Sequence, residues 1–160
     1  MEFRVGFSKD IHKLVENRKL IIAGVVIPFE KGELAHSDGD VLYHALAESI
    51  LGALALGDLG KHFPDNSDET LDMDSSIIVK EVVKMMLDKG YEVNNVDIMV
   101  SLEKPKLKYY IQEMRNNVAK LLNVDVDVVS IKAGTNEKLG PVGKGEAIEA
   151  SSIVLLRKKK

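Results

Sequence analysis

Two segments rich in apolar residues, Phe3–His12 and Leu20–Pro28, flank a polar stretch, Lys13–Lys19, and predict a pair of strands. The second is β-branched and apolar nearly throughout, the pattern of a strand buried on both faces. In Asp40–Leu56 the period changes. Val41, Leu42, Ala45, Leu46, Ile50, Leu51 and Leu54 recur at roughly 3.6-residue spacing and predict a helix, with Ser37, Asp38 and Asp40 as capping candidates. Gly57–Leu71 reads as a polar loop, and Ser75–Lys89 as a second helix ended by Gly90. Val93–Leu102 predicts a strand, and Lys106–Leu122 a third helix opened by Pro105 and striped by Ile111, Met114, Val118 and Leu121. Val126–Ala133 and Ala147–Leu156 predict the last strands, joined by Gly134–Glu146, which holds four glycines. Arg157–Lys160 reads as a solvated tail. With no repeat or linker, the order of elements predicts an α+β fold: a single domain over residues 1–160, with a mixed four- to five-stranded sheet and helices on one face.

Composition narrows the chemistry. The chain has 160 residues, 45% hydrophobic and 29% charged, enough for one sizeable core and too apolar for wholesale disorder. A net charge of −3 argues against bulk electrostatic binding of nucleic acid. The apolar runs Leu20–Ile27 and Ile50–Leu56 fall far short of the roughly 20 residues a membrane-spanning helix needs, and no signal-peptide plan is visible. A soluble, cytoplasmic protein is expected. Zero cysteines excludes a disulfide framework, a thiolate metal site and a cysteine nucleophile, so any metal must sit on His, Asp, Glu and water. All four histidines lie between His12 and His62.

Asp10 and His12 are two apart in a predicted strand and so share a face, while His44 lies on the first predicted helix on the side of Val41, Glu48 and Leu51. Two imidazoles and a carboxylate match a catalytic zinc set with one position left open. They also match a triad that holds Fe(II) in oxygenases. Ala35–Asp40 is a polar loop entering a helix N-terminus, either an anion site beside that metal or only a well-capped helix. Lys132–Gly140 follows a strand and is dense in small donors: Thr135 and the amides near Gly134 can hold phosphate oxygens, and Glu137 offers a hard oxygen for Mg²⁺ or Mn²⁺. It lacks the order of a Walker loop. His62 reads as a surface or packing residue.

Several blocks occur in order: Gly6-x3-Asp10-Ile11-His12, Ala35-His36-Ser37-Asp38-Gly39-Asp40-x3-His44, Leu56 to Asp65, Asn95-Val96-Asp97, Lys104-Pro105-Lys106, Lys132-Ala133 and Thr135 to Gly140. From about Arg4 to Leu156 the chain closely resembles the 2-C-methyl-D-erythritol 2,4-cyclodiphosphate synthases of the non-mevalonate isoprenoid pathway. The resemblance implies a phosphorus–oxygen lyase that cyclises 4-diphosphocytidyl-2-C-methyl-D-erythritol 2-phosphate and releases CMP. It also implies a homotrimer with active sites at the subunit interfaces, and neither a nucleic-acid nor a membrane partner. By position, Asp10, His12 and His44 are the implied zinc ligands, one ion per site, and Glu137 the ligand of Mg²⁺ or Mn²⁺ on the substrate diphosphate. His36 and Thr135 are the implied catalytic pair. The implied substrate shell begins with Asp10, Ile11, His12, His36 and Ser37. Asp58, Leu59 and Gly60 meet the ribose or the methylerythritol part, and Phe63, Pro64, Asp65, Asn66 and Ser67 form a mobile loop. Leu102, Glu103, Lys104, Pro105, Lys106, Leu107 and Lys108, with Gly134, Thr135, Asn136 and Glu137, enclose the cytosine and its diphosphate. Phe7-Ser8-Lys9 departs from a frequent family pattern, as do Asn136 after Thr135 and Pro141 and Lys144 beyond the glycine loop. The family positions of Lys9, Pro141 and Lys144 line an axial cavity associated with isoprenoid diphosphates. Lys144 keeps charge there but loses a bidentate fork. The alternatives are a zinc-dependent phosphohydrolase on the same residues and a non-catalytic trimeric module that binds isoprenoid or metal.

Overall fold

The computed structural model describes residues 2–66 and 68–160. Its elements are β1 (Phe3–Glu16), β2 (Leu20–Ile22), β3 (Val25–Ile27), β4 (Lys31–Leu34), α1 (Val41–Ala53), α2 (Leu59–His62), α3 (Ser75–Asp88), β5 (Tyr91–Ser101), α4 (Ile111–Leu122), β6 (Val129–Gly134), α5 (Gly140–Gly143) and β7 (Ala147–Lys158). Five strands make one mixed sheet in the order β4-β1-β7-β5-β6, with β5 and β6 parallel and the other neighbours antiparallel.

Alternation along the strands sorts the two faces of the sheet. On one face Gly6, Ser8 and Leu14 of β1 are buried beside Ala150, Ser152 and Val154 of β7 and Val96, Ile98 and Val100 of β5. On the other, Phe3, Val5, Phe7, Ile11, Met99 and Ile153 are exposed, with Phe7 directly paired to Ile153. The helices α1, α3 and α4 contribute the rest of the core to the first face, through Leu46 and Ile50, Val79 and Met86, and Met114 and Val118. Each such large side chain stabilises the fold by roughly 1.5–3 kcal/mol through removal from water.

Helix α1 lies directly on β1 because Gly6 has no side chain. A Cβ there would stand 1.9 Å from the Ser49 carbonyl oxygen and 2.7 Å from the Ala53 nitrogen. From that contact the two elements run in opposite directions and stay in step: Ser8 Oγ donates to Glu48 Oε2 at 2.6 Å, and Asp10 Oδ2 lies 3.4 Å from His44 Nδ1. Four helical residues rise about 6 Å. Two strand residues advance about 6.6 Å. That match sets His44 over Asp10 and His12.

Several boundaries differ from the sequence pattern. Leu20–Pro28 is not one buried strand but the β2–β3 hairpin, outside the main sheet. Its two-residue turn has Ala23 at φ 50° and Gly24 at φ 73°, and the buried carboxylate of Asp40 accepts both turn N–H groups at 2.9 and 2.8 Å. The stretch read as polar, Lys13–Lys19, instead extends β1 to Glu16, where β4 pairs with it. The third helix starts at Ile111 and not at Lys106; Leu107 is pinned in the core and Tyr110 N–H closes a turn on its carbonyl at 2.8 Å. Residues Val126–Val128 form a 3₁₀ turn before β6. The basic end is not free: Arg157 and Lys158 belong to β7, with Arg157 3.0 Å from Glu92 and Lys158 over the Tyr91 ring. The Gly57–Leu71 loop carries the short helix α2, capped by the Asp58 carboxylate.

Candidate metal centre

Asp10 Oδ2 lies 3.0 Å from His12 Nε2 and 3.4 Å from His44 Nδ1, and the two imidazole rings meet edge to face at 5.1 Å. The ligating atoms of the three residues all fall within 4.8 Å of one another. The far nitrogen of each ring fixes its tautomer. His12 Nδ1 lies 2.7 Å from the Gly39 carbonyl, which can only accept, so Nδ1 carries the proton and Nε2 presents a lone pair. His44 Nε2 lies 3.0 Å from Ser75 Oγ. Ser75 gives its own hydroxyl hydrogen to Asp38 Oδ1, so its oxygen accepts from His44 Nε2–H and leaves Nδ1 as the lone pair. Two nitrogen lone pairs and a carboxylate oxygen thus converge on one point. Acceptors so placed call for a cation between them, and the donor set fits a divalent metal with an open fourth position.

Where protons stand in the cation's place, the same three groups attract one another: burial raises the Asp10 pKa, but hydrogen bonds and charge from protonated His12 and His44 outweigh it and hold the carboxyl well below the usual range. Burial lowers His12, and Asp10 more than reverses that, leaving the imidazole raised.

The loop over this point is braced from beneath. Arg18 donates from Nε to the Glu33 carbonyl at 3.1 Å and from its terminal nitrogen to the carbonyls of Ala35 and Ser37 at 3.3 and 3.0 Å. Asp72 N–H donates to the His36 carbonyl at 2.7 Å, and Asp38 N–H to that of Met73 at 3.0 Å. Asp40 caps α1 with a carboxylate that takes N–H groups from Ala23, Gly24 and Tyr43; burial nevertheless pushes its pKa up to about 6. Glu33 is fully buried below Gly39. Its Oε2 accepts from Ile21 N–H at 3.3 Å and its Oε1 has no partner among the described residues, so burial, with the Asp40 charge, pushes its pKa up to about 10.

Asp10, His12, His36, Ser37 and His44 line a cavity of about 630 Å³ with Leu59, Gly60, Phe63, Pro64, Asp65 and Asn66. Ser67 lies outside the described residues. Ser37 is 7% exposed, its hydroxyl accepting from Gly39 N–H at 3.3 Å. The Ile11 side chain is on the opposite face of the sheet, away from this cavity. Asp58 caps α2, accepting from Lys61 N–H at 3.0 Å. A separate cavity of about 180 Å³ gathers Leu102, Pro105, Lys106, Leu107, Lys108, Gly134 and Thr135. Beside it Glu103 accepts from Asn136 N–H at 3.3 Å, and Thr135 Oγ1 from Glu137 N–H at 3.3 Å. Glu137 and Lys138 are both left-handed, at φ 54° and 62°, which holds this loop in an uncommon shape. Pro141 and Lys144 belong to α5 and its cap, in neither cavity. His62 packs on the Leu56 carbonyl at 2.9 Å. Within one chain, therefore, the Asp10–His44 set and the Thr135 set do not meet.

The sequence pattern did not single out Arg18, Glu33 or Ser75. Glu48 had a signal, one helical turn beyond His44; it braces the cleft by accepting from Ser8 Oγ and from Leu59 N–H at 3.1 Å.

Fold and site together define an α+β protein with an Asp-His-His triad suited to a metal, set between a strand and a helix at the floor of a polar cleft. Comparison with known proteins makes the class specific. The model of the YgbB family matches residues 3–157, and the chain belongs to that family. It is 53% identical over 155 residues to the 2-C-methyl-D-erythritol 2,4-cyclodiphosphate synthase of Chloroherpeton thalassium, covering 97% of this chain and 99% of the relative. The synthase of Brachyspira hyodysenteriae is 50% identical over 157 residues, covering 98% and 99%. Among solved structures, the CDP complex of Plasmodium falciparum IspF superposes with a TM-score of 0.87 at 37% identity, covering 99% of this chain and 97% of that one. The bifunctional IspDF of Campylobacter jejuni gives a TM-score of 0.94 at 40% identity over 98% of this chain, which spans 42% of that longer protein.

Proposed function

We propose that this chain converts 4-diphosphocytidyl-2-C-methyl-D-erythritol 2-phosphate into 2-C-methyl-D-erythritol 2,4-cyclodiphosphate, releasing CMP. The observation that carries this reading is the Asp10–His12–His44 cluster opening on the His36–Ser37 loop, in a chain matched along nearly its whole length by synthases. An oxygen of the substrate's 2-phosphate attacks the β-phosphorus, and the bond from that phosphorus to the bridging oxygen breaks. CMP departs with the electron pair. The nucleophile is already an anion, so no activated side chain is needed, and positioning with charge neutralisation dominates.

Asp10, His12 and His44 would hold zinc, which when bound supplies a Lewis acid for the β-phosphate. The braced 36–38 loop sets His36 against the developing charge without rearrangement. Glu48 fixes the start of α2, and Thr70 anchors the 63–66 lip by donating to the Pro64 carbonyl at 2.8 Å. Glu137 would hold Mg²⁺ or Mn²⁺, and Thr135 the far side of the diphosphate.

Because the two residue sets lie apart in one chain, a homotrimer in which neighbouring copies join them is part of the reading. The exposed apolar face of Phe3, Val5, Phe7, Ile11 and Ile153 supports it, since such a patch marks an interface. Among the described residues no helix is long and apolar enough to cross a membrane, and a cytoplasmic location completes the proposal.

The test is ³¹P NMR of purified protein with the substrate, zinc and Mg²⁺. Cyclic diphosphate and CMP are expected, and a chelator should stop both. An uncyclised product would sink the proposal in favour of a phosphohydrolase, and no turnover would favour a non-catalytic module.

A further inference from the structure

Arg18 is a cation answered by no acid: among the described residues it forms no ion pair. Its donors go to backbone instead, Nε to the Glu33 carbonyl and one terminal nitrogen to the carbonyls of both Ala35 and Ser37. Its neighbours place it. Asn17 is left-handed at φ 64°, and Gly32 lets the chain lie against β4, since a Cβ there would stand 2.0 Å from the Lys19 carbonyl oxygen and 2.4 Å from that of Arg18.

Leu34, Ala35, His36 and Ser37 line the metal cleft and Arg18 does not, so the guanidinium stands behind the loop. A trans peptide points its N–H opposite to its carbonyl. With the Ala35 carbonyl drawn back to Arg18, the 35–36 peptide turns its N–H end towards the cleft. The His36 carbonyl is taken by Asp72 N–H, and the Ser37 carbonyl again by Arg18. Three successive carbonyls are thus committed, two of them to one side chain. Released from Arg18, a carbonyl would be free to swing its partial negative charge towards an anionic substrate. A planar guanidinium offers N–H groups on separate nitrogens and holds all three of its acceptors at once; an ammonium donates from a single point.

We propose that Arg18 is a positioning residue for the phosphoryl transfer, its fork locking the 35–36 and 37–38 peptides with their carbonyls turned from the cleft, so that His36 and the N–H side of the loop meet the substrate phosphates. This rests on the cyclisation reading above and adds to it a residue that touches neither metal nor substrate.

The experiment compares wild type, Arg18→Lys and Arg18→Ala, each zinc-loaded, by CMP release and by amide NMR. Both variants should lose about tenfold or more in kcat/KM, with KM raised, a change that a smaller folded fraction does not produce. Amide shifts should concentrate at Ala35, His36, Ser37 and Asp38. Zinc affinity should match wild type, because His12 and His44 are oriented by Gly39 and Ser75. The proposal is overturned if Arg18→Lys turns over as wild type does, if zinc affinity falls together with turnover, or if the loop amides stay in place. Wild-type protein that releases no CMP would sink the cyclisation reading by itself, and the amide shifts would still decide whether Arg18 sets the loop.

Discussion

His44 Nε2 stands 3.0 Å from Ser75 Oγ, and the serine hydrogen is committed to Asp38. This chain from the N-terminus of α3 dictates which imidazole nitrogen is free for metal. Ser75→Ala should therefore weaken zinc binding by about 10- to 100-fold, read by competition with a chelator, while the fold persists. Unchanged affinity would mean that Ser37, 3.2 Å from the same nitrogen, suffices.

Glu33 predicts a pH dependence of stability. Its folded pKa of about 10 lies above the unfolded value of 4.5, so the native chain keeps a proton that the unfolded chain releases. Stability then falls as pH rises from 4.5 towards about 10. Glu33→Gln removes that loss. It should stabilise the protein by on the order of 3 kcal/mol at about pH 7 and change little at the acid end of the window. Denaturant melts across pH decide it, and parallel curves would refute the assignment.

The proposed trimer places Phe7 and Ile153, 60% and 50% exposed and paired across β1 and β7, in an interface. Phe7→Asp with Ile153→Asp should yield a folded 17.7 kDa monomer by sedimentation. It should lose turnover yet bind zinc, because the metal set lies within one chain. A trimer that survives the double change would move the interface elsewhere.

Gly6→Ala drives a methyl into the Ser49 carbonyl, a backbone atom that cannot give way. A loss of about 4 kcal/mol or more is expected, with zinc occupancy falling as α1 lifts from β1. Gly52→Ala is the control, its nearest neighbour being the Phe7 carbonyl at 3.9 Å. That change should stabilise by about 0.5–1 kcal/mol in thermal melts.

The metal set was legible in the sequence because each ligand obeys a simple period: Asp10 and His12 share a strand face, and His44 sits on a helix face. What escaped depends on contacts between segments distant in sequence. The β2–β3 hairpin was hidden because Ala23-Gly24 is a weak turn pair until Asp40 captures its N–H groups. Ser75 begins a helix 31 residues from His44, and backbone pairings of the His36–Asp38 loop with Asp72 and Met73 bring them together. Glu33 is invisible to periodicity, since a carboxyl inside the core reads as a surface residue. The Thr135 loop was legible as a turn after a strand, but its separation from the metal cleft was not.

β7 is the last strand made, yet it lies between β1 and β5 at the centre of the sheet. During synthesis the strand that carries Asp10 and His12 has no long partner until Ala147–Lys158 arrives. The nascent chain must therefore wait, with Asp10 and His12 unsupported, for Ala147–Lys158 to close the sheet. Assembly of the triad follows the synthesis of β7, and a chain cut short before β7 would present the ligands without the site.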